Sequence, residues 1–598
     1  MMDEGILLHI DHDGEDFVVT HAGDAELKQH LEALLSARYV PDLGKWRLDW
    51  WDIQSLKARL DAAGRTEGRG ATDAAIEAFE REASLDSIAH EASRDGSPLD
   101  APLITTNLYS DQRAGVRFVL HRPGIILADA MGSGKSLMLL TAYSKLREMG
   151  EVGPLLVLCP NSVKPAWVKE VKKHSSLKVA MIGNTRKEQA ATLSIYQERP
   201  TDVFVVHYDC LISHDTKRKQ PWSEVVDQLV KIPFAAIVCD EAHHLKNSSS
   251  KRTIAARFLV SASNSKKRRT RIWLATGTPV SESPVDAYSL LGMVEPSVLP
   301  SHTRFLGHFI ARQAIQLGPR KIMQDAGPKN IPDLQRLFSR CMIRRGKADL
   351  KGFPDKVEST RDITLTGDQK KLYVDIKKGV YDTPEKEEGS KLAITTAMTR
   401  VIRLRQCLVS PKILSRDGDS AKLEALDTIL EEVLSNEDEK ILIWTEFRDA
   451  VDIIAERFAH YGVIKLYGGQ TPEDMFRIGA SWDTSPQRVA VAIPAFGGTG
   501  VDFLSRCRTA VYVDIPFSTV LFRQSLDRIH RRVNATATDK ISLIKASPAH
   551  IIFLHAEDTV DDLVLGRVSE KGNLVDSILE AQAHLAKMSP EQILASLG

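Results

Sequence analysis

The stretch GIILADAMGSGKS, residues 124–136, decides how the rest of the chain is read. Its first half, Gly124 to Asp129, is a continuous apolar run closed by a carboxylate, the pattern of a buried strand. Its second half is a small-residue turn, and an apolar helical pattern starts at Leu137. Glycines at Gly132 and Gly134 let backbone N–H groups turn inward around phosphate oxygens. Lys135 would reach the terminal phosphates, Ser136 would ligate Mg²⁺, and the start of the helix adds its dipole. The strict phosphate-loop pattern has Gly where this chain has Asp129. Strand, loop and helix nevertheless arrive in the required order. The candidate phosphate-binding set is therefore Asp129, Ala130, Met131, Gly132, Ser133, Gly134, Lys135 and Ser136.

Outward from this point, apolar runs alternate with helical patterns: LLVLCP at 155, VFVVHY at 203, FAAIVCD at 234 and IWLATG at 272. The third run ends in Asp240-Glu241-Ala242-His243, 105 residues after Lys135. A carboxylate pair at a strand end supplies the other half of a phosphate site. Asp240 would hold the metal, and Glu241 would orient and deprotonate an attacking water. The fourth run ends in Thr276-Gly277-Thr278-Pro279, whose small hydroxyl residues could link a nucleotide site to a bound polymer. The strand rhythm returns from about 421, in ILIWTEF, VIKLY, VAVAIP, AVYVDIP and HIIFLHA. Within that second block, Gln524-Ser525-Leu526-Asp527-Arg528-Ile529-His530-Arg531-Arg532 reads as helical. Arg528 and Arg531 then share one face, as a pair of guanidiniums able to stabilise a transferring phosphate.

The 598 residues contain 79 Lys and Arg against 79 Asp and Glu, so net charge alone does not mark a nucleic-acid binder. The balance is uneven, however. Residues 1–100 hold 22 acidic and 10 basic residues, a net of −12, leaving +12 on the remainder. Six cysteines lie at least 29 residues apart with no C-x-x-C pair, which argues against a zinc ribbon, an iron–sulfur cluster or a disulfide framework. The first residues lack a charged-then-apolar leader, and no run of 18 apolar residues occurs. The expectation is a soluble protein of a reducing compartment. That means cytoplasmic, nucleoid-associated if the source is prokaryotic or viral; a nuclear location is also compatible.

The order of so many motifs gives the chain a clear resemblance. Over residues 103–570 it resembles the superfamily-two helicase-type ATPases, and among them the Swi/Snf branch of double-stranded-DNA translocases. The stretches that carry this are LYSDQRAGVRF, ILADAMGSGKS, LLVLCPNSVKPAWVKE, DEAHHLKN, LATGTP, MIRRGKADLKGFPDK, LRQCLVSP, ILIWTEF, FGGTGVDF, QSLDRIHRR and AEDTVDDLVLGRVSEKG. Residues 26–63 separately resemble the HARP domain of annealing helicases, anchored on Arg38-Tyr39-Val40-Pro41-Asp42 through Lys45-Trp46. There Lys45, Arg47, Lys57 and Arg59 could form a local basic patch.

The resemblance implies an α/β fold of two RecA-like parallel-sheet lobes with a helical insertion between them, plus a small N-terminal α/β module. Expected boundaries are 1–63 for the module, 64–102 for a helix and linker, and 103–290 for the first lobe. The insertion would span 291–420, the second lobe 421–570 and a helical tail 571–598. It also implies that Gln112 reads the adenine of ATP, and that Lys135, Asp240, Glu241, Arg528 and Arg531 carry hydrolysis. Gly500 and Asp502 would touch the nucleotide, while Thr276, Gly277, Thr278 and Gln524 would couple it to DNA. Departures from the family pattern are Ala130 for its usual Glu, Val280-Ser281-Glu282-Ser283 after G-T-P, and Gly500-Val501-Asp502-Phe503. The implied activity is ATP-dependent translocation on duplex or forked DNA, with remodelling or annealing and little sequence preference. The alternatives are a strand-separating DNA or RNA helicase, the motor of a restriction or repair system, and a scaffold that has lost turnover.

Overall fold

The computed structural model describes residues 8–565, apart from 13–16, 22–24, 33, 35–36, 42–44, 49–51, 54–55, 57–68, 73, 76, 78–91, 199, 216–218, 264–269, 278–284, 297–298, 300, 318–319, 331–333, 335–336, 339–340, 380–391, 471, 498–501, 517 and 533–539. Most of the helix expected within 64–102, the tail 571–598, Gly500 and Thr278 thus lie outside the described residues. The chain forms two compact units. One holds residues 1–130 and 134–349, the other 131–133 and 350–598.

The front of the first unit is a five-stranded sheet built from β1 (Leu8–His12), β2 (Phe17–His21), β3 (Arg38–Val40), β4 (Lys45–Leu48) and β5 (Arg69–Ala71). Its order is β3-β4-β2-β1-β5, antiparallel except for the β1–β5 pair. Period-two alternation puts Trp46 and Leu48 on the buried face and Lys45 and Arg47 on the other. Phe17, Val19, Trp46 and Leu48 belong to the same hydrophobic core as the first lobe's Ile126, Leu156 and Phe204. The module is therefore packed into the first lobe's unit. The Arg304 guanidinium, on the helix His302–Phe309, fastens it further by donating to the carbonyls of Leu34, at 2.7 Å, and Ala37. Trp46, the end of the anchor string that resembles the HARP domain, is a core residue; the neighbouring Trp50 and Trp51 lie outside the described residues.

The stretch after the module is also tied down. Arg117 donates to the carbonyls of Asp95, Ser97 and Pro98, and Arg113 to that of Gly96 at 2.8 Å. The Pro/Gly-containing segment 92–102 thus runs along the helix Ser110–His121 that carries these arginines.

The first lobe's sheet contains β6 (Gly124–Leu127), β7 (Leu155–Cys159), β8 (Val179–Met181), β9 (Val203–His207), β10 (Ala236–Asp240) and β11 (Arg271–Ala275). Further along the chain come an antiparallel hairpin, β12 (Ile310–Leu317) with β13 (Arg320–Pro328), and the short β14 (Met342–Ile343). β14 joins the main sheet, giving the all-parallel order β14-β6-β11-β10-β7-β9-β8. Both faces are covered, which is why these strands read as unbroken apolar runs. Ile126, Leu156 and Ile237 point into one core, Ile125, Leu155 and Val238 into the other.

The second unit repeats the plan with β15 (Lys356–Ile363), β16 (Ile441–Trp444), β17 (Val463–Leu466), β18 (Val489–Ala492), β19 (Thr509–Tyr512) and β20 (Ala549–Ala556). They form an all-parallel sheet in the order β15-β20-β19-β16-β18-β17. The insertion at 291–420 is divided between the units. Its first part supplies the helix His302–Phe309, the hairpin and β14 to the first; its second part supplies β15 and the helices Gly367–Lys378 and Leu392–Val409 to the second. All six cysteines are buried free thiols. Among the described residues, no helix is long and apolar enough to cross a membrane.

Candidate active site

In the first lobe the strand order β6-β11-β10 sets three of the sequence motifs side by side at the carboxyl ends of adjacent strands. The phosphate loop follows β6, Thr276 and Gly277 follow β11, and Asp240-Glu241 closes β10. The Thr276 N–H donates to the Leu127 carbonyl at 3.1 Å, fixing the central segment to the strand that feeds the loop.

Gly134 is the N-cap of the helix Lys135–Glu148, with φ +87°, in the left-handed region that side chains disfavour. A Cβ there would also lie 2.4 Å from Gln112 Nε2, so the position needs glycine twice over. Gln112 is thereby placed against the loop. Its side-chain oxygen accepts from the Tyr109 N–H at 3.0 Å, which fixes the amide's orientation. Lys135 Nζ donates to the main-chain carbonyls of Asp129, at 2.9 Å, and Ala130, at 3.3 Å. The Asp129 carboxylate faces elsewhere: it receives the Arg345 guanidinium at 2.5 Å. What Asp129 offers the loop is a carbonyl, and its side chain anchors the strand end. Ser136 stands one residue into the helix, beside Lys135.

Asp240 is held on three sides. Trp167, itself 1% exposed, donates its indole N–H to Oδ2 at 2.7 Å. The Glu241 N–H donates to Oδ1 at 2.9 Å, and the Tyr208 hydroxyl donates to the Asp240 carbonyl at 2.8 Å. Burial and the adjacent Glu241 carboxylate push the Asp240 carboxyl upward, while the Trp167 hydrogen bond and Lys135 pull it down. A carboxylate in that position favours a cation. Mg²⁺ commonly takes one or two protein oxygens and completes its shell with phosphates and water. Asp240 and Ser136 fit that requirement; among the described residues no cluster of three His, Cys, Asp or Glu offers an all-protein cage.

Glu241 has φ +49°, an uncommon conformation for a residue with a side chain and one that concentrates at functional sites. Its Oε2 lies 3.3 Å from His243 Nδ1, and that nitrogen is 3.4 Å from the Thr276 hydroxyl. His243 therefore stands between the Glu241 carboxylate and the Thr-Gly segment. Nothing in the D-E-A-H string marks His243 for this place, and the strings that contain Trp167 and Arg345 give no sign of the partners those residues hold.

In the second unit, the helix expected to carry both arginines ends earlier, at Leu526. Arg528 and Arg531 lie in the turn beyond it, so they do not share a helix face. Past Leu526 the backbone tightens, and the Arg528 N–H donates to the Ser525 carbonyl at 3.1 Å. The Arg508 guanidinium binds the Ile529 carbonyl at 2.7 Å, and His530 Nε2 lies 2.8 Å from the Pro354 carbonyl, holding the chain in its turn. Arg528 is buried, as is Gln524 on the helix itself. Asp502 opens a short 3₁₀ turn, Asp502–Arg506. At the ends of β16 and β19, Arg405 donates to Glu446 at 2.8 Å and to the Ile515 carbonyl at 2.6 Å, and contacts Asp514 at 3.3 Å.

Two family models match most of the chain. The SNF2-related domain matches residues 89–413, and the helicase conserved C-terminal domain matches residues 421–533. An uncharacterized ATP-dependent helicase of Mycoplasma pneumoniae is 26% identical over 79% of this chain and 42% of its own length. The ISWI chromatin-remodeling complex ATPase ISW1 of Saccharomyces cerevisiae is 25% identical over 77% of this chain and 39% of its own. A SWI/SNF-related matrix-associated actin-dependent regulator of chromatin subfamily A-like protein 1 of Xenopus tropicalis is 23% identical over 92% of this chain and 53% of its own. The chain thus spans about half or less of the length of these relatives. Among solved structures, the Sulfolobus solfataricus SWI2/SNF2 ATPase core in complex with dsDNA is 23% identical. That match covers 83% of this chain and 98% of that one, with a TM-score of 0.36. With a domain match over more than half its length and two parallel-sheet lobes, the chain belongs to the SNF2-related family of helicase-like ATPases.

Proposed function

We propose that the protein is an ATP-dependent translocase on double-stranded DNA that remodels or anneals forked DNA. The observation that carries this is the placement of Lys135, Thr276 and Asp240-Glu241 at the ends of three adjacent parallel strands. In this reading Gln112 contacts adenine, the backbone of 129–136 cradles the phosphates, and Lys135 leaves its two carbonyl partners for the terminal phosphate. Mg²⁺, held by Ser136 and Asp240, would supply charge neutralisation on the phosphates. Glu241 takes the proton from the attacking water, and His243 relays the change at Glu241 to Thr276. Arg528 and Arg531 would complete charge stabilisation, Gly500 and Asp502 would touch the nucleotide, and Gly277, Thr278 and Gln524 would join Thr276 in coupling hydrolysis to the polymer. Grip would come mainly from phosphate contacts, hence low sequence preference and a strong salt dependence.

The N-terminal module would direct the motor to forks. This reading rests on the resemblance of residues 26–63 to the HARP domain. The test is the steady-state ATPase rate without nucleic acid and with single-stranded, duplex and forked DNA and duplex RNA, at two salt concentrations. Stimulation by duplex and forked DNA is expected. Stimulation by single strands or RNA alone would replace the proposal with a strand-separating helicase, and no turnover at all would leave a scaffold.

A further inference from the structure

The first residue of the phosphate loop departs from the glycine of the strict pattern, and the structure gives Asp129 a definite task. Asp129 is fully buried, and its carboxylate is gripped by one residue three ways. The Arg345 N–H donates to Oδ1 at 3.0 Å, Nε to Oδ1 at 3.1 Å and Nη2 to Oδ2 at 2.5 Å. The traffic also runs in reverse, because the Ala130 N–H donates to the Arg345 carbonyl at 3.0 Å. The remaining guanidinium nitrogen, Nη1, donates to the Asp111 carbonyl at 2.6 Å, on the helix that carries Gln112. That helix makes room for it. A Cβ on Gly115 would come 2.9 Å from Arg345 Nη2 and 2.5 Å from Met138 Sδ, so this glycine permits the close approach. Arg345 follows β14, the edge strand beside β6, and lies four residues before the chain leaves the first unit at residue 349.

We propose that Arg345 is a positioning residue through which the departing chain sets the geometry of the phosphate loop and of the adenine-facing helix. The inference deepens the proposed function and rests on it. Three elements meet on one guanidinium: the loop through Asp129, the Gln112 helix through Asp111, and the outgoing segment 346–349 through the backbone. A displacement of that segment moves Asp129, and Asp129 carries the carbonyl that holds Lys135. Lysine keeps the charge but lacks the planar fork that makes these contacts together. Asparagine at 129 removes the charge and leaves the Asp111 contact in place.

Amide hydrogen exchange on the full chain tests this directly, with and without a non-hydrolysable ATP analogue. Slowing at 343–349 together with 129–136 is expected, and slowing confined to 129–136 would overturn the proposal. A chain that bound no nucleotide would instead refute the proposed function, and this inference with it. ATPase measurements on R345K and D129N provide a second reading. The KM for ATP is expected to rise about tenfold and the duplex-DNA stimulation factor to fall at least fivefold. Values within twofold of wild type, accompanied only by a lower melting temperature, would reduce Arg345 to a structural strut.

Discussion

At the residue scale, the proposed function divides the site into groups that would act on the nucleotide and groups that hold those in place. Glu241 is assigned to the first kind. Glu241→Gln keeps size and hydrogen bonding but cannot accept a proton. ATP binding by the variant should stay within a fewfold of wild type while hydrolysis falls about 10³-fold. Filter binding and single-turnover kinetics would separate the two; unchanged turnover would remove Glu241 from its role. Trp167 belongs to the second kind. Trp167→Phe keeps the buried ring and loses the N–H that orients Asp240 Oδ2. A hydrogen bond to a charged group contributes about 1.5–3 kcal/mol. The Mg²⁺ concentration for half-maximal ATPase should therefore rise about tenfold, with the KM for ATP at saturating Mg²⁺ little changed. If only the melting temperature moves, Trp167 is packing alone. Lys135, Asp240 and Glu241 were legible because each stands in a short string at a strand end. Trp167 and Arg345 were not, because they act on partners 73 and 216 residues away.

At the scale of elements, the strands were legible and the ends of elements were less so. Every β-type run named in the sequence is a strand in its expected block, since a strand buried on both faces has to be apolar throughout. The segment 524–532 misled because its residues suit a helix, and nothing local reveals the tight turn that the Arg528 N–H closes on the Ser525 carbonyl. The hairpin β12–β13 went unnoticed in a region read as helical. One contact between elements yields a pH prediction. His555 on β20 lies 2.8 Å from Asp362 of β15 through Nδ1, and 2.7 Å from Asp562 of the helix Val560–Leu565 through Nε2. Burial by itself would lower its pKa, but the two carboxylates outweigh burial and hold it above the ordinary imidazole value. The stabilisation is fully present below the unfolded-state pKa of about 6.5. It is lost as pH rises through the higher folded-state value. The melting temperature of wild type should exceed that of His555→Gln most at pH 5.5–6, and the gap should shrink on going to pH 9. A gap that is independent of pH would show that the imidazolium contributes nothing.

At the scale of the whole molecule, the acidic front and basic remainder argue against the N-terminal module as a general DNA clamp, and its packing changes how it should be tested. Removing it would strip Phe17, Trp46 and Leu48 from a core they share with the first lobe. A deletion would therefore damage the motor along with the module. The alternation of β4 offers a cleaner route, because Lys45 and Arg47 lie on the face opposite Trp46 and Leu48, and Arg38 pairs with Arg47 in register. Lys45→Glu combined with Arg47→Glu changes that face and leaves the core residues alone. If the face contacts the phosphates of a fork, the ATPase should keep its stimulation by plain duplex and lose its preference for forks. Fork affinity should also become less salt-sensitive. Each phosphate contact contributes about 0.9 to the slope of log K against log salt, so two lost contacts reduce it by about 1.8. A fork preference and salt slope equal to wild type would mean that this sheet braces the first lobe and that forks are recognised elsewhere on the chain.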